Sequence, residues 1–270
     1  MTDTTNGTAH APAPLALVTG ASSGIGLELA TVMARNGFDL VVNAEDAGIE
    51  RAAAALRGHG GTVHAVQADL RRPEGVEQLW TACGAAGVLD VAALNAGVGR
   101  GGGFVETDLA DELSIVDLNV RSTVHLAKLV LRDMIGRGEG RVLITSSIAS
   151  TMPGTYQAVY NASKSFLQSF AQALQEELRD GPVTVTSLMP GPTETEFFHR
   201  AQMDDTRVGA SKKDDPAQVA EQGFHAMLKG EDKVVAGSAA TKAQGHLSGV
   251  LPDRLKAAMH ARMARPGSAR

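Results

Sequence analysis

"LALVTGASSGIGLELATVMARNG", residues 15–37, changes character twice within one short span. Residues 15–18 are apolar without alternation, the mark of a strand buried on both faces. From Gly24 onward Ile25, Leu29, Val32 and Met33 recur at helical spacing. Between the two lies "TGASSGIG", in which Gly20, Gly24 and Gly26 are spaced GxxxGxG. The first glycine permits a sharp turn out of the strand. The later ones let backbone approach a pyrophosphate and let the helix pack on the strand. Such a helix start also offers unpaired N–H groups and a partial positive charge, which suit a phosphate. Three glycines alone could form nothing more than a tight strand-to-helix turn. Their place between the first strand and the first helix favours a dinucleotide site.

The same rhythm continues outward. Apolar strands are expected at 39–44, 62–70, 89–97, 141–147 and 183–191, with a short seventh at 232–237. Helices are expected between them, at 24–37, from Gly48 to the glycines near 60, from Pro73 to about 84, at 109–136, 155–180 and 215–230. Continuously apolar strands alternating with helices imply an α/β fold, a doubly wound Rossmann domain. Its mostly parallel seven-stranded sheet is covered by helices on both faces. No fixed-period repeat or linker divides the chain. Residues 1–14 read as a disordered leader, 15–237 as one catalytic domain, and 238–270 as a helical extension.

Composition narrows the function. With 270 residues and 43% hydrophobic content, the chain can bury a large core. A net charge of −5 argues against nucleic acid as a partner. No apolar run approaches the roughly 20 residues that span a bilayer, so a membrane role is not expected. The single Cys83 leaves no intramolecular disulfide and fits a reducing cytoplasm. The eight histidines form no paired ligand motif, so no metal site is expected.

Taken in order, further motifs complete a pattern. "NAG" (Asn95, Ala96, Gly97) follows the fourth strand, Asn119 stands in "DLNV", and Ser147 in "ITSSIAS" lies 13 residues before Tyr160. "YNASK" joins Tyr160 to Lys164 one helical turn on, and "PGPTET" (190–195) follows the sixth strand. With "TGASSGIG", these make the chain resemble the short-chain dehydrogenase/reductase family from about residue 15 to 237. The resemblance implies that Tyr160 is the general acid in reduction or the base in oxidation. It gives Ser147 the substrate oxygen, Lys164 the nicotinamide ribose and a role in lowering the Tyr160 pKa, and Asn119 a water joining Lys164 to solvent. Ser146 is the alternative to Ser147, which the 13-residue spacing favours. By the same resemblance the cofactor contacts are Gly20, Ser22, Ser23, Gly24, Ile25, Gly26, Glu45, Asp69, Leu70, Asn95, Ala96, Gly97, Tyr160, Lys164, Pro190, Gly191 and Thr193. Related enzymes are dimers or tetramers, and a homodimer or homotetramer is expected here.

The second strand ends "NAED", placing Glu45 about 20 residues beyond the glycine turn, where a ribose-binding acid is expected. A carboxylate about 5 Å from a phosphate repels it by roughly 3 kcal/mol before screening. That favours NAD over NADP. Glu45 and Asp46 could instead only solvate the next helix, and Ala44 occupies the place where NAD-preferring relatives most often carry Asp.

The expected activity is hydride transfer between nicotinamide and a ketone or secondary alcohol with an apolar part. A non-catalytic NAD(P)-binding protein on the same fold is the alternative. Phe197, Phe198 and Met203, in the segment after the sixth strand, read equally as pocket lining and as the packing face of a small lid helix. In the extension, Lys242, Arg254, Lys256, Arg262, Arg265 and Arg270 face a single acid, Asp253. Leu251, Leu255, Met259 and Met263 form one stripe there. A terminal helix packed on its own subunit or a neighbour is expected.

Overall fold

The residues of the first strand divide by parity. Leu15 and Leu17 enter one apolar core, and Ala16 and Val18 enter another. The fourth strand does the same, with Ala92 and Leu94 on the first side and Val91 and Ala93 on the second. Because strand side chains alternate, an unbroken apolar run needs cover on both faces, and the helices supply it. Full burial of a residue such as Leu17 contributes about 1.5–3 kcal/mol.

The computed structural model describes residues 13–247 and 251–269. Of the leader expected at 1–14, residues 1–12 lie outside the described residues. The strands are β1 (Leu15–Thr19), β2 (Asp39–Ala44), β3 (Val63–Gln67), β4 (Leu89–Leu94), β5 (Gly140–Thr145), β6 (Val183–Pro190) and β7 (Lys233–Ala236). They form one sheet in the order β3-β2-β1-β4-β5-β6-β7, and every neighbouring pair is parallel. The helices are α1 (Gly24–Arg35), α2 (Gly48–Arg57), α3 (Pro73–Ala86), α4 (Leu109–Ile115), α5 (Ser122–Arg137) and α6 (Ala158–Glu177). They continue with α7 (Phe197–Arg200), α8 (Arg207–Ala210), α9 (Pro216–Leu228), α10 (Ala239–Leu247) and α11 (Asp253–Ala264). Leu29 of α1, Ile49 of α2 and Phe224 of α9 pack on one face of the sheet, and Val76 of α3, Leu126 of α5 and Leu167 of α6 on the other. The chain is a single Rossmann-type α/β domain. No helix among the described residues is long and apolar enough to cross a membrane.

One expected element is interrupted. The helix read over 109–136 contains a π-helical turn at Val116–Arg121, between α4 and α5. Asn119 sits in that turn, and its amide reaches back to the loop after β4. Ser122 and Thr123 donate to the carbonyls of Leu118 and Asn119, four residues earlier. Such back-bonding competes with the regular ladder and suits a local widening. Hydrophobic periodicity carries no trace of one extra residue in a turn.

Candidate active site

The strand order reverses direction between β1 and β4. A crevice therefore opens at the carboxyl ends of these strands, the place where open α/β sheets bind ligands. Two glycines set its geometry. Gly20 has φ +67°, and a Cβ there would lie 2.9 Å from the Ala96 Cα. A Cβ on Gly26 would lie 2.1 Å from the Gly20 carbonyl oxygen. The turn is thus wedged against the loop after β4. Asn95 completes the wedge: its Nδ2 donates to the Thr19 carbonyl at 3.1 Å, and its Oδ1 accepts from Thr145 Oγ1 at 3.1 Å. Thr19 Oγ1 accepts in turn from the backbone N–H groups of Asn95 and Ala96.

Ser23 heads α1 without a side-chain cap, and the first turn of the helix holds no acid. The helix start is left able to receive an anion. Ser22 Oγ donates to Asp46 Oδ2 at 3.1 Å, tying the glycine turn to the end of β2. A single cavity of about 710 Å³ runs from this turn to the catalytic candidates. It is lined by Gly20, Ser22, Ser23, Gly24, Ile25, Gly26, Glu45, Asp69, Leu70, Asn95, Ala96, Gly97, Ser147, Tyr160, Lys164, Pro190, Gly191 and Thr193. This elongated, uncapped cleft suits a dinucleotide. Asn119 stands outside the lining. It is fully buried, its Oδ1 accepts from Val98 N–H, and its Nδ2 donates to the Val98 carbonyl and Ser163 Oγ.

Ser147 and Tyr160 line this cavity together. Ser147 Oγ accepts from Ala149 N–H at 3.1 Å and donates to the Pro190 carbonyl at 3.3 Å. Its neighbour Ser146 is committed elsewhere, donating to the Lys164 carbonyl at 3.0 Å. Lys164 is buried, its Nζ donates to the Thr145 carbonyl at 2.9 Å, and it stands 5.9 Å from the Tyr160 ring centroid. Burial lowers the Lys164 ammonium to about 8. The expected lowering of the phenol by Lys164 is not seen. Tyr160 keeps some accessible surface, yet burial pushes its phenol up to about 12, and the opposing pull comes from Ser147. The spacing of Tyr160 and Lys164 gave their shared helix face but not the desolvation that dominates both groups.

Where the cavity meets the ends of β2 and β3 the sequence reading missed a partner. Arg71, just after β3, pairs with Glu45 and with Asp69, the latter at 2.8 Å. Burial alone would raise the Asp69 carboxyl, but hydrogen bonds from Arg71 outweigh it and hold the carboxyl below its ordinary value. Glu45 is therefore partly neutralised, which weakens the repulsion argued from its charge alone. The signal was the run Asp69, Leu70, Arg71, with β3 lying beside β2.

The segment after β6 resolves its two readings by splitting them. The Phe197 ring lies 5.1 Å from the Tyr160 ring and lines the cavity. Met203 is fully buried in a small core with Ala201, Ala264 and Phe198, and Phe198 also reaches the cavity. The extension packs on its own chain, and α11 lines the same cavity through Met259, His260 and Met263. The apolar stripe on α11 was legible, but not the surface it would face.

The family model for short chain dehydrogenases matches residues 14–206. The chain belongs to the short-chain dehydrogenase family. Its members are oxidoreductases on Rossmann domains. The chain is 33% identical over 208 residues to Oxidoreductase UcpA of Salmonella typhimurium, covering 76% of each. A short-chain dehydrogenase/reductase of Burkholderia phymatum, solved in complex with NAD, superposes with a TM-score of 0.80 at 26% identity, covering 87% of this chain and 92% of that one. A short-chain dehydrogenase of Sphingobium yanoikuyae, solved with NADPH, superposes with a TM-score of 0.76 at 28% identity, covering 88% and 96%.

Proposed function

We propose that the protein transfers a hydride between a nicotinamide cofactor and a ketone or secondary alcohol that carries an apolar part. The observation that carries this reading is that Ser147, Tyr160 and buried Lys164 line the same cavity as the glycine turn. The bound nicotinamide would supply the hydride. The chain's own residues would do the rest.

With its phenol at about 12, Tyr160 holds its proton at neutral pH and is suited to donate it to an oxygen gaining negative charge. Ser147 Oγ stands beside that phenol and would share the same oxygen, stabilising the charge as it develops. Lys164 places a cation behind Tyr160 and would orient the ribose of the cofactor. Asn119 fixes the loop after β4 through Val98 and so holds Gly97, whose added Cβ would lie 3.4 Å from Lys164 Nζ.

The helix start at Gly24–Gly26, with Ser22 and Ser23, would hold the pyrophosphate. Asp69 and Leu70 would meet the adenine, and Asn95, Ala96, Gly97, Pro190, Gly191 and Thr193 would line the nicotinamide half. Glu45 and Asp46 line the ribose end, and the Ser22–Asp46 bond fixes a carboxylate there. This supports NAD over NADP, reduced by the Arg71 counter-charge. The free, buried Cys83 is in keeping with a reducing, cytoplasmic setting.

Assembly as a homodimer or homotetramer is part of this reading. Along α6, Ala158, Ala162, Phe166, Ser169 and Ala173 form an exposed stripe, which a second copy would cover. Phe170, expected on that stripe, is instead half-buried against the core and stacked on Phe166.

The test is a panel of ketones and secondary alcohols with NADH, NADPH and their oxidised forms, followed at 340 nm. Turnover of ketones that depends on the reduced cofactor is expected. No turnover of any member by the folded chain would refute the proposal.

A further inference from the structure

Helix α11 carries two adjacent stripes with different fates. Lys256, His260 and Ala264, spaced four apart, fasten it to the body of the domain. Lys256 Nζ donates to the Thr151 carbonyl at 3.2 Å, His260 Nδ1 donates to the Thr155 carbonyl at 2.9 Å, and Ala264 is buried in the core around Phe198 and Met203. Thr155 Oγ1 adds a bond to the Ala257 carbonyl. Beyond the helix, the N–H groups of Gly267 and Ala269 donate to Asp205. The neighbouring stripe remains open: Met259 is 52% and Met263 39% exposed. Both line the cavity that also holds Ser147 and Tyr160, together with Leu251, Met152 and Phe197.

We infer that α11 is the outer wall of the substrate chamber, and that Met259 and Met263 select ketones whose carbonyl carries an extended hydrocarbon group. The inference rests on the ketone chemistry proposed above and gives the substrate its size and polarity. The polar groups of α11 near the cavity are already committed. Lys256 is paired with Asp253 at 2.8 Å and bonded to Thr151. Both ring nitrogens of His260 are engaged, one by the Thr155 carbonyl and one by Asn161 Nδ2. At the rim, Glu196 and Arg200 bring opposite charges from one short segment. What this wall presents inward is therefore thioether and aliphatic surface. Methionine suits it, because an unbranched, polarizable side chain adapts to flexible hydrocarbon. An apolar tail seated there would remove two exposed methionines from water at the same time as its own surface.

The test uses the full chain labelled with 13C at its methionine methyl groups, with oxidised cofactor added so that a ketone is bound but not reduced. The Met259 and Met263 resonances are assigned with M259L and M263L. Titration with 2-nonanone is expected to shift both resonances saturably, and 2-butanone is expected to leave them in place. Binding of 2-nonanone that moves neither methyl, or no binding at all, overturns the assignment. In a parallel assay of reduction, Met259→Asp is expected to lower the ratio of kcat/KM for 2-nonanone to that for 2-butanone at least tenfold. An unchanged ratio also overturns it. If the methyls shift but neither ketone is reduced by the parent protein, the wall stands as a hydrocarbon site and the proposed ketone chemistry is what fails.

Discussion

The rings of Tyr160 and Phe197 lie 5.1 Å apart between centroids and are inclined at 49°. Gly99 makes this approach possible, since a Cβ there would lie 2.6 Å from Phe197 Cζ and 3.3 Å from Tyr160 Cδ2. The proton-donating candidate is thus held by an aromatic from the segment after β6 as well as by its own helix. Burial among such neighbours raises the phenol to about 12.

Tyr160→Phe should therefore abolish proton transfer while preserving ring packing. A fall in kcat of at least about 100-fold is expected, the low end of what a positioned acid contributes. Cofactor affinity, measured by quenching or calorimetry, should stay within about threefold. Turnover near that of the parent would remove Tyr160 from the chemistry.

Lys164→Met should stabilise the fold while disabling the site. The folded pKa of Lys164, about 8, lies below its ordinary value of 10.5, so the fold favours the neutral amine. Its contribution to stability is full above pH 10.5 and is lost as pH falls through about 8. At pH 7 the parent carries the whole penalty of a buried ammonium and the variant carries none. Thermal unfolding at pH 7 should show a higher Tm for the variant, and the gap should close towards pH 10.5. A lower Tm at pH 7 would mean that the bond to Thr145 outweighs the buried charge.

Glu45→Gln should release Arg71 from one of its two carboxylates. The guanidinium then lies closer in charge balance to what a 2′-phosphate requires. NADPH affinity should rise about tenfold, a change of about 1.4 kcal/mol, with NADH affinity little changed. Titration of both cofactors against parent and variant decides it. A parent that already binds NADPH more tightly than NADH would refute the preference assigned to Glu45 and Asp46.

The fastening of α11 should depend on pH through His260. Burial lowers its pKa below the ordinary 6.5, opposed by the bond to the Thr155 carbonyl. The groups facing it are the neutral Asn161 and Thr155, with Lys256 one turn away on its own helix. The neutral ring is the fastened form, so its contribution is full above about pH 6.5 and is lost as pH falls below. Hydrogen exchange over residues 253–264, corrected for intrinsic rates, should accelerate between pH 7.5 and 5.5 more than over α6. His260→Gln should remove that difference. Equal acceleration in both helices would argue against it.

The parallel sheet was legible because apolar runs such as 15–18 and 40–42 admit little else when glycine turns and helical periods follow. The catalytic candidates were legible because Ser147, Tyr160 and Lys164 stand at fixed separations on a strand end and one helix. Other features came from distant chain segments meeting. Arg71 reaches Glu45 only because β3 lies beside β2. Met259 reaches the cavity only because His260 and Lys256 find backbone carbonyls about 105 residues away in sequence. Local periodicity does not encode such pairings. The raised phenol of Tyr160 belongs to the same class, since desolvation is a property of the packed surroundings and not of the motif.

The π-helical turn at Val116–Arg121 sets regularity against activity. A turn of this kind holds one residue more than an α-helix would use, and each residue of an α-helix advances by about 100°. Deleting one residue from the turn would give a smoother helix with its hydrogen-bond ladder restored. The deletion would also shift the phase of α4 against α5 and carry Asn119 away from Val98. The loop bearing Gly97 would lose its anchor while helix content, measured by circular dichroism, stayed the same. A lesion usually ruinous to a helix would here improve it, and the damage would surface only as lost turnover.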